Sequence, residues 1–225
     1  MSRPLVVVRP EPGCSETVRA AQAQGLAAVA APLFSIEPVA WQAPDPARFD
    51  GILAGSANVF RLGGKELARL AALPVHAVGE RTAAAARAAG FVVETVGGGG
   101  LQAVIEALAP PRRLMRLAGA ARVPLAPPPG VGIAECVVYR AVPLALDGSV
   151  LSALRAGAVV ALHSGEAARA FAALCGGLGL ARERIALAAL APRIAAAAGG
   201  GWAAVAVAPE VSDAALLATA RDMCQ

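Results

Sequence analysis

The sequence predicts an α/β protein of two similar halves, each a parallel sheet built from βαβ units. Three observations lead there. The first is the stretch 73–96, in which Val75–Val78 is an apolar run of strand length and Gly79 punctuates it. Glu80-Arg81-Thr82 then opens an alanine-rich segment of high helix propensity, Gly90 stops it, and Phe91–Val96 resumes as a strand. Strand, turn, helix, glycine cap and strand make one βαβ unit. The second is that residues 185–207 repeat the plan: Ile185–Leu190 is the strand, Ala191 stands for Gly79, Arg193 for Arg81, and Gly201-Trp202 for Gly90-Phe91. The third is that the repeat extends outward in the same order. Residues 51–60 match 159–168, which aligns Ser56 with Ser164, and residues 97–108 match 209–220.

Composition narrows the class. The chain of 225 residues suits one large domain or two small ones. Mean hydropathy is +0.60, yet alanine supplies much of it, and no run reaches the ~18 strongly apolar residues of a membrane span. Leu5–Val8 is too short for a signal-peptide core. Cys14, Cys136, Cys175 and Cys224 are scattered, which reads as reduced thiols in a cytoplasmic protein. A net charge of +4 favours an anionic ligand, while the lack of basic runs and the 4% aromatic content argue against nucleic acid.

In chain order, Leu5–Val8 is a strand ending at Arg9-Pro10, and Cys14–Gln24 is a helix closed by Gly25. Leu26–Ile36 is extended and broken at Pro32, and Trp41–Arg48 is a linker. Arg9 follows the first strand, where open α/β sheets bind ligands; a solvated loop arginine is the other reading. Gly51–Ala54 is a strand, and Ser56 follows as a helix cap or as a donor to an anion. Leu101–Leu108 is a helix and Arg113–Leu117 a strand, with Gly119 and Arg122 at its end. The prolines of 124–132 forbid much of the helix expected next, so that segment is short or irregular. Ile133–Arg140 is a strand, Pro143–Gly148 crosses back and Val150–Ala156 is helical. Tyr139, the single tyrosine, is either an interfacial packing residue or a functional phenol.

Several chemistries drop out. Dinucleotide and P-loop glycine signatures are absent. The two histidines, His76 in a buried strand and His163 beside Ser164, form no metal spacing and no nucleophile–base–acid set.

The arrangement resembles the uroporphyrinogen-III synthase family. The resemblance runs through V-V-R-P at 7–10, A-G-S-A-N-V-F at 54–60, V-G-E-R-T-A at 78–83 and G-F-V-V-E-T-V at 90–96. It continues through R-L-A-G-A-A-R at 116–122, V-V-Y-R at 137–140, L-H-S-G at 162–165 and A-P-E-V at 208–211. Order and spacing carry it rather than any one motif. It implies two flavodoxin-like halves with the first discontinuous: 1–36 plus 142–225, and 40–138, joined by extended crossings near 36–40 and 138–142, with a cleft between.

The resemblance further implies a cofactor-free lyase of tetrapyrrole and heme biosynthesis. Hydroxymethylbilane, a linear tetrapyrrole with eight carboxylates, loses water, and the resulting azafulvene is attacked by the substituted carbon of the last pyrrole. The spiro intermediate fragments and recloses with ring D inverted. Uncatalysed closure gives the I isomer, so geometric positioning is the main task. By this likeness Tyr139 assists departure of the hydroxyl, while Ser56, Thr82, Ser164 and the backbone at Gly79 hold carboxylates. Arg9, Arg81, Arg122 and Arg193 are electrostatic candidates. The family further implies a monomer that meets hydroxymethylbilane synthase transiently, with no metal, nucleic acid or membrane partner.

This chain departs from the family pattern in places. Ala54-Gly55-Ser56 stands where F-T-S is common, Ala191-Pro192-Arg193-Ile194-Ala195 where G-P-T-T-A is common, and Ala118 and Ala120 replace the Arg and Glu of L-R-G-E. A non-catalytic two-domain binder of anions or tetrapyrroles is therefore the alternative to a synthase.

Overall fold

The computed structural model describes residues 2–225, which divide into two compact units. One is formed by the chain up to Ser35 and from Pro143 onward, the other by Ile36–Val142.

The first unit opens with β1 (Leu5–Val7), α1 (Gly13–Ala23) and β2 (Ala28–Ala30). The chain then passes through β3 (Phe34–Pro38) into the second unit: β4 (Gly51–Ala54), α2 (Asn58–Leu62), β5 (Val75–Ala77), α3 (Glu80–Ala88), β6 (Val93–Val96), α4 (Leu101–Glu106), β7 (Arg112–Gly119) and β8 (Val131–Pro143). The first unit is completed by α5 (Gly148–Ala156), β9 (Val159–Leu162), α6 (Gly165–Gly177), β10 (Ala186–Ala189), α7 (Pro192–Ala198), β11 (Ala204–Val207) and α8 (Asp213–Cys224).

The first unit's sheet has the order β11-β10-β9-β1-β2, all parallel. In the second the order is β3-β8-β7-β4-β5-β6, with β8 through β6 parallel. Counted along each unit's own chain, with the edge strand β3 left aside, these are the 2-1-3-4-5 and 3-2-1-4-5 orders of doubly wound sheets. They are one arrangement circularly permuted: β9-β10-β11 answers β4-β5-β6, and β1-β2 answers β7-β8. The repeat legible in the sequence is the part that keeps the same chain order in both units.

Both faces of each sheet are covered, so the central strands are continuous apolar runs rather than alternating ones. In the first unit Val6, Val160 and Leu187 face one core with Phe171 and Ile194, while Leu5, Val159 and Ala186 face another with Leu216 and Cys14. In the second, Ile52, Val75, Met115 and Leu117 pack on Phe60 and Phe91. Its other face is thinner, with Leu53, Leu114, Val104 and Ile105 at its centre. That thinness follows from the proline-rich segment after β7, which forms no helix.

Burial pushes the Cys14 and Cys175 thiols up to about 11, and none of the four cysteines is bridged. Gly90 ends α3 with φ of +87°, the left-handed conformation that a residue with a Cβ avoids. The stretches expected as extended crossings pair with each other as strands: Val39 N–H donates to the Val138 carbonyl at 2.9 Å, and Arg140 pairs with Glu37 at 3.2 Å. Pairing satisfies backbone groups that an isolated extended chain would leave to water. It also explains why β8 runs to Pro143, beyond the Arg140 end that its sequence suggests.

His76 is fully buried on β5, facing away from the core that holds Val75 and Ala77. One ring nitrogen, Nδ1, lies 3.2 Å from the Thr95 hydroxyl, and Gly51 leaves room for the other. Desolvation holds its pKa below the usual 6.5, against a smaller opposing effect of Glu94. A base depressed in the folded state takes its proton mainly on unfolding, so its neutral form supports the fold above 6.5 and that support falls away as pH drops below it. Urea unfolding is expected to show stability falling from pH 6.5 downward, before ordinary carboxylates titrate. His76→Asn is expected to flatten that limb; an unchanged slope would contradict the assignment.

Candidate functional site

Each site residue inferred from the sequence follows or ends a parallel strand, or opens the helix after it, so each lies at the carboxyl edge of its own sheet. In the second unit Ser56 follows β4, Gly79, Arg81 and Thr82 follow β5, Arg122 follows β7, and Tyr139 lies late in β8. In the first unit Arg9 follows β1, Ser164 follows β9 and Arg193 follows β10. Ligands of open α/β sheets sit beyond this edge, where chain order reverses. The reversal lies between β4 and β7 in one unit and between β1 and β9 in the other. Ser56 and Gly119 flank the first; Arg9 and Ser164 flank the second.

The serines combine both readings left open by their sequence. Ser164 caps α6, its hydroxyl oxygen accepting from Ala167 N–H at 3.1 Å, and Ser56 accepts from Asn58 N–H at 3.2 Å. Accepting uses a lone pair and leaves the O–H free to donate. Thr82 is 5% exposed in the first turn of α3, and its hydroxyl makes no hydrogen bond among the described residues.

Gly79 precedes α3 with φ of −179°, an extended conformation open to any residue. Ala191 holds the matching place before α7 at φ −156°, so the alanine there is conformationally silent. A Cβ on Gly79 would meet only the Gly97 carbonyl at 3.7 Å, ordinary contact. Gly79→Ala is therefore expected to fold normally. The poorer helix cap and the stiffer unfolded chain offset to within about 0.5 kcal/mol. An unchanged midpoint in thermal unfolding checks this; a loss above about 1.5 kcal/mol would reveal a contact that the fold hides.

The arginines divide. Arg81 and Arg193 are exposed at matching second positions of α3 and α7 and form no ion pair among the described residues. Arg81 also borders an open groove of about 520 Å³ along α3, floored by Phe60, Ala85 and Ala88, with Arg61 on its rim. Arg9, expected as an electrostatic contact for an anion or as a solvated loop arginine, has partners within the protein. Its guanidinium pairs with Asp213 at 2.8 Å, donates to the Thr17 hydroxyl at 3.2 Å and lies over Gly13, where a Cβ would come within 2.5 Å of Nε. Asp213 also has His163 Nε2 at 3.6 Å, so Arg9 belongs to a charged cluster that ties β1 to α8.

Arg122, another electrostatic candidate, is likewise engaged within the protein. Its Nε donates to Glu135 at 2.7 Å, and the second oxygen of that carboxylate accepts from Arg116 at 2.7 Å. Burial alone would raise the Glu135 pKa, but these two guanidinium groups outweigh it and hold the carboxyl below its usual 4.5. Arg116 is buried at 4% exposure and gives its other arm to the Val123 carbonyl at 2.8 Å.

Tyr139 is half-buried, its ring against the core of the second unit. The register of β7 and β8 shifts so that Gly119 pairs with Tyr139, and Ala120 N–H donates to the Tyr139 carbonyl at 2.9 Å. The phenol makes no hydrogen bond among the described residues, and its O–H is available to an incoming oxygen. Of the departures from the family pattern, Gly55 has a visible counterpart: a Cβ there would lie 2.8 Å from Leu101 Cδ1, so Leu101 occupies the space a threonine would use.

Two doubly wound parallel sheets, each with hydroxyls and helix starts at its carboxyl edge, define a class: two-unit α/β proteins. The profile described as uroporphyrinogen-III synthase HemD matches residues 15–218. The chain therefore belongs to the uroporphyrinogen-III synthase family. A uroporphyrinogen-III synthetase structure from Helicobacter pylori shares its fold at a TM-score of 0.66 and 18% identity, over 98% of this chain and 99% of that one. A mutant uroporphyrinogen III synthase from Thermus thermophilus shares it at 0.56 and 19%, over 98% of each chain. No curated protein sequence matches. Among the described residues no helix is long and apolar enough to cross a membrane.

Proposed function

We propose that the protein is a working uroporphyrinogen-III synthase, cyclising hydroxymethylbilane with loss of water and inversion of ring D. The observation that carries this reading is the unbonded phenol of Tyr139 at a carboxyl edge, in a chain whose family match spans residues 15–218. On this reading the two compact units are the two domains of the family, with the first discontinuous.

The substrate carries eight carboxylates, so its recognition calls for donors rather than bases. Ser56, Thr82 and the N–H groups that open α3 supply them in the second unit; Ser164 supplies one in the first. Arg81 and Arg193 add charge that forms no ion pair among the described residues. Tyr139 gives its proton to the departing hydroxyl, so water leaves and the azafulvene forms. Attack by the substituted carbon of ring D forms the spiro carbon–carbon bond. Cleavage of that carbon's original bond and reclosure deliver the inverted ring, and loss of the ring proton restores the pyrrole. The protein need only hold one geometry long enough to outrun simple closure.

The test is a coupled assay in which a deaminase generates hydroxymethylbilane and the oxidised products are separated into I and III isomers. Predominant III isomer is expected. Only the I isomer, at the rate without protein, would remove the synthase reading and leave an anion binder.

A further inference from the structure

We propose that Gly119 is a positioning residue for Tyr139: the missing side chain at the end of β7 sets where the only phenol of the protein lies. The inference rests on the catalytic reading of Tyr139 given above. An ideal Cβ on Gly119 would fall 2.6 Å from Cε2, 2.7 Å from Cζ and 3.0 Å from Oη of Tyr139. Carbon atoms in contact lie about 3.5–4.0 Å apart, so ring and methyl cannot share this space. The three nearest atoms all belong to the far end of this one side chain. Gly119 is not among the glycines with positive φ, so alanine brings no backbone strain. The ring is what stands closest in its way.

The strand register explains the seat. Ala118 pairs with Val137, but Gly119 pairs with Tyr139, leaving Val138 as the extra residue, fully buried in the core. The shift lays the ring across Gly119. The hydrogen bond from Ala120 N–H to the Tyr139 carbonyl holds the backbone of β8 in place. A methyl at position 119 must therefore be relieved by rotating the tyrosine side chain, and its oxygen, farthest from the backbone, moves most. Gly132, in the same strand pair, is the matched control: a Cβ there meets only Arg113 Cγ at 3.9 Å and the Arg112 carbonyl at 4.0 Å.

A single tyrosine makes this measurable without reference to activity. With ring-labelled tyrosine, Gly119→Ala is expected to displace the one ring resonance, and Gly132→Ala to leave it in place. In the coupled assay Gly119→Ala is expected to lower kcat for the III isomer on the order of tenfold or more with KM nearly constant, while Gly132→Ala keeps the parent rate. In urea unfolding, Gly119→Ala should cost stability in the parent but little in a Tyr139→Leu background. Should Gly119→Ala fail to fold, Gly119→Ala with Tyr139→Leu is expected to fold, because the ring is gone. An unmoved ring signal, an equal loss in both backgrounds, or failure of both variants to fold would overturn the proposal. A displaced ring with undiminished III isomer would instead overturn the role of Tyr139, and the positioning role in the reaction with it.

Discussion

Tyr139→Phe is expected to lower III-isomer turnover by about two orders of magnitude or more while leaving binding and folding almost untouched. The size follows from what a positioned acid contributes when a poor leaving group departs, typically 10²- to 10⁴-fold. The selectivity of the effect follows from the structure. The phenol hydroxyl makes no hydrogen bond among the described residues, so removing it leaves no buried partner unsatisfied. The ring stays, and with it the contact with Gly119 and the core of the second unit. Single-turnover kinetics on hydroxymethylbilane, with unfolding curves of both proteins, check the claim. A phenylalanine variant that turns over at the parent rate would show that the leaving hydroxyl departs without this phenol. Positioning by Ser56, Thr82 and Ser164 would then carry the whole selectivity.

Much of this architecture was legible in the residues. Glycine punctuation and alanine-rich helices located both βαβ units, because backbone conformation at Gly90 and helix propensity over 80–88 are local properties. The permutation between the units was not legible. It concerns which strands lie side by side, and β1-β2 and β7-β8 share the pattern of any buried strand. Ser56, Thr82, Ser164 and Tyr139 stand out in the sequence because donors after strands have a positional meaning in α/β sheets. The arginines were harder to read. Nothing near Arg9 in the sequence announces Asp213, 204 residues away, and Arg122 meets Glu135 only because β7 and β8 are in register. Gly119 was visible as a glycine at a strand end, but its purpose depends on a register shift that no spacing encodes.

Glu135→Ala is expected to be among the most destabilising single changes in the second unit, costing about 2–3 kcal/mol in urea unfolding. The reason is asymmetric. Arg116 lies at 4% exposure on β7, and Glu135 compensates its buried guanidinium from across the strand pair. Removing the carboxylate leaves a buried guanidinium with the Val123 carbonyl alone, and leaves Arg122 only its bond to the Ala120 carbonyl. Glu135 is 33% exposed, so water relieves part of the cost, which places the expectation toward the lower end of buried pairs. Removing the charge from both partners is a different matter. Arg116→Met with Glu135→Leu deletes the desolvation penalty with the attraction and is expected to recover most of the loss.

The pH dependence of the same pair is fixed by its direction. A carboxylate held below 4.5 in the folded state supports the fold above that value, and the support is lost as pH falls through the lower folded pKa. The parent should therefore lose stability in that acid window, and the double variant should lose less. Equal stability of the parent and Glu135→Ala at neutral pH would mean that Arg116 finds water in the folded state. In that case the two strands that carry Gly119 and Tyr139 would be held by their backbone ladder and apolar faces alone.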